Sequence, residues 1–147
     1  DFAGGPAFDP KRAADYGFTT DEPVRSVYLP VFRNALPEFL TAFDFADPSM
    51  VVGARNVSTV APQALFLLNH PFVRGQAGAA AERLLALKLP DSETRLVHAY
   101  RLALGRGPSA RERELTLAQL AGEPDEATAW TGVFHALFAS LDFRHVH

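Results

Sequence analysis

Residues 125–141, DEATAWTGVFHALFASL, decide the fold class of this chain. Apolar side chains recur through this stretch at helical spacing and would cover one wide face of a helix. They are Ala129, Trp130, Val133, Phe134, Leu137, Phe138 and Leu141. Asp125 precedes them, and its carboxylate can accept hydrogen bonds from the first amides of the helix. The pattern predicts a core helix, in which the aromatic side chains pack and do not form a cofactor pocket.

Two more helices are predicted immediately before this one. The first begins at Asp91 or Ser92 and ends at Gly105, a residue that readily adopts the left-handed conformation of a helix end. The second begins with SARE, in which Ser109 and Glu112 have the spacing of a capping box, and runs to about residue 121 with a glycine as its stop. Because the connections are short, we expect the three consecutive helices to pack antiparallel.

Helical signals also extend upstream. We expect helices over about 34–43, 61–69 and 71–88, with Asn34 capping the first of them and Asn69 capping the last. The segment GQAGAAA, 75–81, carries so little side-chain bulk that a neighbouring backbone could approach it closely. The predicted fold class is therefore all-α, a helical bundle of about five helices with an irregular, extended N-terminal third.

The N-terminal third lacks helical periodicity. Residues 1–24 contain three glycines and three prolines, and we interpret them as an extended arm interior to a longer chain. The stretch RSVYLPVFR, 25–33, is β-like, but its proline predicts an isolated strap against the helices. Residues 25–147 are expected to form a single helical domain. The aromatic residues Tyr28, Phe32, Phe43 and Phe45 would pack the strap onto that domain or onto a preceding part of the protein.

Composition excludes several function classes. The 147 residues include 14 basic and 17 acidic side chains, a net charge of −3, which is unlike the basic footprint of a nucleic-acid binder. No apolar run approaches the roughly 20 residues that a membrane span needs, so we expect no membrane insertion. The absence of cysteine excludes disulfides and thiolate metal sites within these residues.

A set of polar residues surrounds the apolar run of residues 60–68 and is the best candidate for a ligand site. Its members are Arg33, Asn34, Arg55, Asn56, Gln63 and Asn69. Guanidinium and amide groups could line a cleft and bind a carbohydrate or a carboxylate. Alternatively, the amides satisfy loop and helix-end backbone groups, and the arginines pair with nearby acids. We favour the second interpretation.

Catalytic and metal-binding patterns are not found in the sequence. The five histidines show no helical metal-site spacing, and there is no nucleophile elbow and no phosphate-binding loop. His98 and His135 lie near apolar stripes and are expected to be packed or half-exposed. We therefore predict no catalytic residues, no metal and no cofactor, and we do not expect catalysis by this chain alone.

Three blocks of the sequence resemble a known family. They are RSVYLPVFRNALPEFLTAFDFADP, GARNVSTVAPQALFLLNHPFV and AYRLALGRGPSARERE, followed by a helix that ends FASLDFRHV. Together they look like the C-terminal part of a domain of unknown function from large secreted planctomycete proteins, which often carry an N-terminal cytochrome-c-like module. The resemblance implies an extracytoplasmic location and a preceding helical half of the domain. Leu141 and Asp142 depart from it, because an Asn-Glu pair is commoner there.

Two functions are consistent with these observations. The first is a non-catalytic helical structural and interaction module of a secreted multidomain bacterial protein, whose partner is the preceding part of the same protein and whose further partners could be other modules, the cytochrome-like one among them. The alternative is part of a polysaccharide-acting hydrolase that shares its active site with the preceding half. In that case Arg33, Arg55, Asn56 and Gln63 would bind substrate.

Overall fold

The computed structural model describes residues 38–43, 45 and 60–144, and all regular structure within them is helical. Seven helices follow one another along these residues. They are α1 (Glu38–Ala42), α2 (Val60–Asn69), α3 (Pro71–Ala86), α4 (Ser92–Leu104), α5 (Ala110–Gly122), α6 (Glu126–Ala139) and α7 (Leu141–Arg144). The predicted all-α class is confirmed. The arm over 1–24, the strap over 25–33 and the first residues of the helix expected at 34–43 lie outside the described residues.

The chain divides into two compact units, residues 1–63 and 64–147. In the N-terminal unit α1 ends where the Phe45 amide donates to the Leu40 carbonyl at 2.9 Å, and Leu40 is buried. Phe43 and Phe45 are each 41% exposed. Tyr28 and Phe32, the other two aromatic residues predicted to pack the strap, lie outside the described residues.

Three long helices form the core of the C-terminal unit. The most extensive packing joins α3 to α6, and α4 packs against α6 beside it. The buried core side chains are Ala77, Ala81, Leu84, Leu96, Ala99, Tyr100, Trp130, Val133, Phe134 and Leu137. Trp130 is 1% exposed, and Phe138 is partly buried against the cluster. The aromatic residues of α6 are therefore core side chains, as their spacing predicts.

The close approach expected at GQAGAAA is made by alanines. Ala77 and Ala81 are 0% and 1% exposed, so the α3 backbone lies near its neighbour at these two positions. A methyl group added at Gly75 or Gly78 would meet nothing within 4 Å. The glycines of this segment are thus on the open side of α3, and only the alanines explain the tight packing.

The helix ends agree with the local signals in most places. Asp91, Ser109 and Asp125 are the N-caps of α4, α5 and α6, and Gly105 follows α4 with φ of 70°. Three C-terminal ends differ from expectation. The helix α6 ends at Ala139, so Leu141, expected on its apolar face, lies on α7 and is 58% exposed. The third helix stops at Ala86, two residues early, and Lys88 beyond it has φ of 49°. Gly122 is the last residue of α5 and not its stop.

The helix α5 is the most weakly buried long helix of the C-terminal unit. None of its side chains is buried, although Leu117 and Leu120 are partly buried against the core. Ion pairs supplement this packing: Arg113 on α5 pairs with Glu93 on α4. The position of α5 therefore depends on polar contacts more than the positions of α3, α4 and α6 do.

Candidate functional site

The predicted polar set falls mostly outside the described residues. This applies to Arg33, Asn34, Arg55 and Asn56, so the ligand-binding cleft that they would line stays a prediction. Gln63 lies on α2 and is half-buried. Asn69 is exposed, and its side-chain amide donates to the Leu65 carbonyl at 2.9 Å. This bond ties Asn69 to its own helix.

His70, and not Asn69, caps α3, so the prediction that Asn69 caps this helix is wrong. The Nδ1 atom of His70 accepts from the Phe72 amide at 3.2 Å, and the His70 backbone is extended at φ −72° and ψ 131°. Pro71 forces this arrangement, because a residue before proline avoids the helical region and proline itself fits the first helical position. The His70 ring also stacks on Phe66 with 4.3 Å between centroids, which orients the capping nitrogen.

One arginine and two acidic residues join the α4–α5 loop to α5 and α7. Arg106 donates to both carboxylate oxygens of Glu112 at 2.9 and 2.8 Å, and its Nε donates to Asp142 at 3.0 Å. The guanidinium also lies 5.8 Å from the centre of the Tyr100 ring, within cation–π range. We call Arg106, Glu112 and Asp142 the Arg106 cluster.

The Arg106 cluster shifts the ionisation of two groups, Glu112 and Arg106. Hydrogen bonds from Arg106 lower the pKa of Glu112 from an ordinary 4.5 to about 2. Hydrogen bonds to the carboxylates of Glu112 and Asp142 in turn raise the pKa of Arg106. Glu112 also accepts from the Ser109 amide at 2.7 Å while the Glu112 amide donates to the Ser109 hydroxyl, which completes a capping box. Glu112 is therefore a fixed anion with all its oxygens in use, and it is unsuited to transfer protons at neutral pH.

An open depression lies beside the N-terminal half of α4. Its lining residues are Leu89, Asp91, Glu93, Thr94, Val97, His98 and Arg101. Its two carboxylates are already engaged: Asp91 accepts from the Thr94 amide at 2.6 Å, which lowers the pKa of Asp91, and Glu93 pairs with Arg113. The carboxylates of this depression therefore cap α4 and pair with α5.

Apolar side chains are exposed where α2 meets α3. Leu65 is 60% exposed, Leu68 50% and Phe72 40%, and the two leucines are one helical turn apart on α2. We call these three residues the α2–α3 apolar face. Between residues 60 and 81 the chain has one charged side chain, Arg74. Exposed apolar groups in a charge-poor setting are typical of a surface that contacts another protein.

Metal-ligand clusters and membrane-spanning helices are not found in the described part of the chain. No group of three or more potential metal ligands occurs among its residues. Within the same ranges no helix is both long and apolar enough to cross a bilayer.

Comparison with known families identifies the chain. A family model described as "PSD1: Protein of unknown function (DUF1553)" matches residues 2–120. The chain belongs to the PSD1 family. The search of curated proteins and the search of solved structures each give no match.

The PSD1 match and the folded unit do not end together. The matched residues stop within α5, whereas α6 supplies Trp130 and packs most extensively with α3. Arg106 and Glu112 lie inside the PSD1 match and Asp142 lies outside it. The core and the Arg106 cluster are thus each built from residues on both sides of the family boundary.

Sequence reasoning missed the Arg106 cluster. The stretch GRGPSARE predicts a turn and a capping box, which leaves Arg106 with no assigned role. Its second acidic partner lies 36 residues further along the chain, beyond any local pattern. The sequence offered one clue, the acidic residue of the tail segment LDFR. That residue can be recognised as a partner of Arg106 only once α7 is known to lie beside the α4–α5 loop.

Proposed function

We propose that this PSD1 chain is a non-catalytic helical structural and interaction module of a secreted multidomain bacterial protein, and that it packs against the preceding part of the same protein. The observation that carries the proposal is the α2–α3 apolar face. Leu65, Leu68 and Phe72 expose their side chains at neighbouring positions. Removing such apolar surface from water lowers the free energy and favours association.

The composition of this surface favours a protein partner. Cores of protein–protein interfaces are depleted in charged residues and enriched in aromatic and arginine side chains. The segment 60–81 fits this description, since Arg74 is its one charged residue and the aromatic side chain of Phe72 is exposed. The complementary partner is an apolar helical surface. A charged partner group buried against Leu65, Leu68 and Phe72 would find no opposite charge there, which is energetically costly.

The identity of the partner and the location rest on the family resemblance. Resemblance to large planctomycete proteins implies a helical half before residues 4–8, GGPAF. That half is the proposed occupant of the α2–α3 apolar face. The same resemblance supports an extracytoplasmic location and further modules, including one like cytochrome c. Fractionation of cells that produce the parent protein tests the location, and a cytoplasmic signal would contradict it.

A binding measurement tests the proposed packing. This chain and the preceding segment of its parent would be purified separately and titrated in a calorimeter. We expect the double variant L65E/L68E to weaken binding by on the order of 100-fold, because two apolar contacts are lost. The matched control is L102E/L115E, since Leu102 and Leu115 are 65% and 54% exposed elsewhere on the C-terminal unit. The control should bind within twofold of the unaltered chain.

Three outcomes would overturn parts of the proposal. If the unaltered pieces do not associate, the preceding segment is not the partner. If L65E/L68E binds as tightly as the control, the α2–α3 apolar face is not the contact surface. Release of reducing sugar from a polysaccharide panel by the mixed pieces would instead identify a hydrolase, with Arg33, Arg55, Asn56 and Gln63 as the first substrate-binding residues to vary.

A further inference from the structure

The Arg106 cluster places two carboxylates from different helices on one guanidinium. The Nη2 atom of Arg106 donates both to Glu112, at 2.8 Å, and to Asp142, at 2.5 Å. The cluster is partly exposed, with 41%, 32% and 42% of the side chains of Arg106, Glu112 and Asp142 accessible. Without the arginine, two negative charges would face each other at short range.

The two helices held by this cluster have few other anchors. The helix α5 buries no side chain, and its other contacts with the unit include the Arg113–Glu93 pair, a hydrogen bond between Thr116 and Tyr100, and partly buried leucines. The helix α7 is a single turn that packs on α4 and α6, where the Phe143 ring lies 5.0 Å from that of Phe138. Both elements are therefore the type of structure that opens locally before the core does.

We propose that Arg106 couples these two helices, so that α5 and α7 open and close as one cooperative unit governed by ionic strength. Holding a long arginine side chain in one geometry costs rotamer entropy. Each carboxylate reduces the cost of engaging the other, because the guanidinium is already ordered when the second bond forms. A disturbance at α7 is thus transmitted to α5 through a single side chain.

Hydrogen–deuterium exchange tests the coupling in the intact chain. The variant D142N keeps the shape of the side chain and removes its charge, and Asp142 is exposed enough for the fold to tolerate the change. We expect amide exchange to accelerate about twofold to fivefold in 141–144 and also in the interior of α5, residues 113–122. Exchange in α3 and α6 reports whether the core is intact.

A charge-matched control and a double variant isolate the role of Arg106. E126Q removes an equal charge and breaks the Arg95–Glu126 pair between α4 and α6 without touching the cluster. It should leave exchange in α5 unchanged. In an R106Q background, D142N should have no further effect on α5. In 1 M salt, where the screening length is about 3 Å, the effect of D142N on α5 should disappear.

The coupling is overturned if D142N accelerates exchange in 141–144 alone or in neither segment. It is also overturned if E126Q affects α5 as strongly as D142N, because a general charge effect would then explain both. A full response of α5 to D142N in the absence of Arg106 would show that another route connects the helices.

Discussion

The Nε2 atom of His135 on α6 lies 3.1 Å from the carbonyl oxygen of Leu67 on α2. A carbonyl can only accept, so the imidazole donates through Nε2. Leu67 is among the last four residues of α2, whose carbonyls have no partner within the helix. The histidine therefore ties the end of α2 to the core helix, and its half-buried position serves a structural purpose.

Replacement of His135 by alanine should lower the melting temperature. The lost hydrogen bond is worth about 1 kcal/mol, or about 4 °C at this chain length. Calorimetry of H135A beside H98A checks this, because His98 is also half-buried but lies on α4 in the open depression. Equal melting temperatures for the two variants would contradict the proposed tie.

Acid should destabilise the chain partly through Glu112. Its pKa is about 2 in the folded protein and about 4.5 when unperturbed, so folding favours the ionised form. The contribution is fully present above pH 4.5 and is lost as the pH falls from 4.5 to about 2. Allowing for screening at a partly exposed site, we expect it to be on the order of 1 kcal/mol.

The variant E112Q measures that contribution directly. Its unfolding free energy in urea should fall less steeply between pH 5 and pH 2 than that of the unaltered chain, with Trp130 fluorescence as the signal because it is the single, buried tryptophan. Parallel pH profiles for the two proteins would show that Glu112 does not titrate at an altered pKa.

The capping box of α5 should respond differently to two substitutions of one residue. Ser109→Ala removes the hydroxyl that accepts from the Glu112 amide and should cost about 1 kcal/mol. Ser109→Gly should cost only a few tenths of that, because glycine leaves the amide open to water. Urea denaturation of both variants provides the comparison, and a larger loss for glycine would argue against a capping role.

Two positions on α3, Gly75 and Ala77, should show opposite effects of added bulk. Gly75→Ala should raise stability by about 0.5–1 kcal/mol, because the position is exposed and helical and the new methyl group meets nothing. Ala77→Leu should lower stability by about 1–3 kcal/mol, since Ala77 is fully buried where α3 packs on its neighbours. Thermal melts of the two variants test the assignment, and an Ala77→Leu variant that melts normally would contradict the close packing.

Local chemistry was sufficient to predict most of the C-terminal unit. Three signals depend on contacts within a few residues: the apolar face of residues 129–138, the capping box at Ser109 and the glycine after α4. Leu141, predicted on the same face, instead lies on α7 and is exposed. Such signals remain valid in the folded protein because neighbours in sequence are neighbours in space. The same reasoning predicted Trp130 as a core residue, which its 1% exposure confirms.

The prediction for α3 failed by one residue, and the cause is also local. Asparagine is the better general N-cap, but Asn69 bonds back to Leu65 and so completes α2. Pro71 then leaves His70 as the extended residue that precedes the helix. Proline at the first helical position was therefore the stronger signal, and residue preference for the cap was the weaker one.

The Arg106 cluster and the α2–α3 apolar face could not be predicted in the same way. Arg106 and Asp142 meet because the end of α4, the start of α5, the end of α6 and the start of α7 lie close together. Patterns within short stretches of sequence cannot reveal a contact between residues this far apart in the chain. Leu65 and Leu68 have the spacing of core residues, and only the packed structure shows that they are exposed. Spacing predicts a helix face, but it does not say whether that face is covered.

The weak burial of α5 has an evolutionary consequence. Because α3, α4 and α6 supply every side chain of the buried cluster, substitutions on the outer side of α5 leave the core untouched. Across PSD1 relatives, the outward positions of this helix should accumulate changes faster than Ala77, Ala81 or Trp130. Drift there would alter the outer surface of the protein from species to species while the three-helix centre stayed the same.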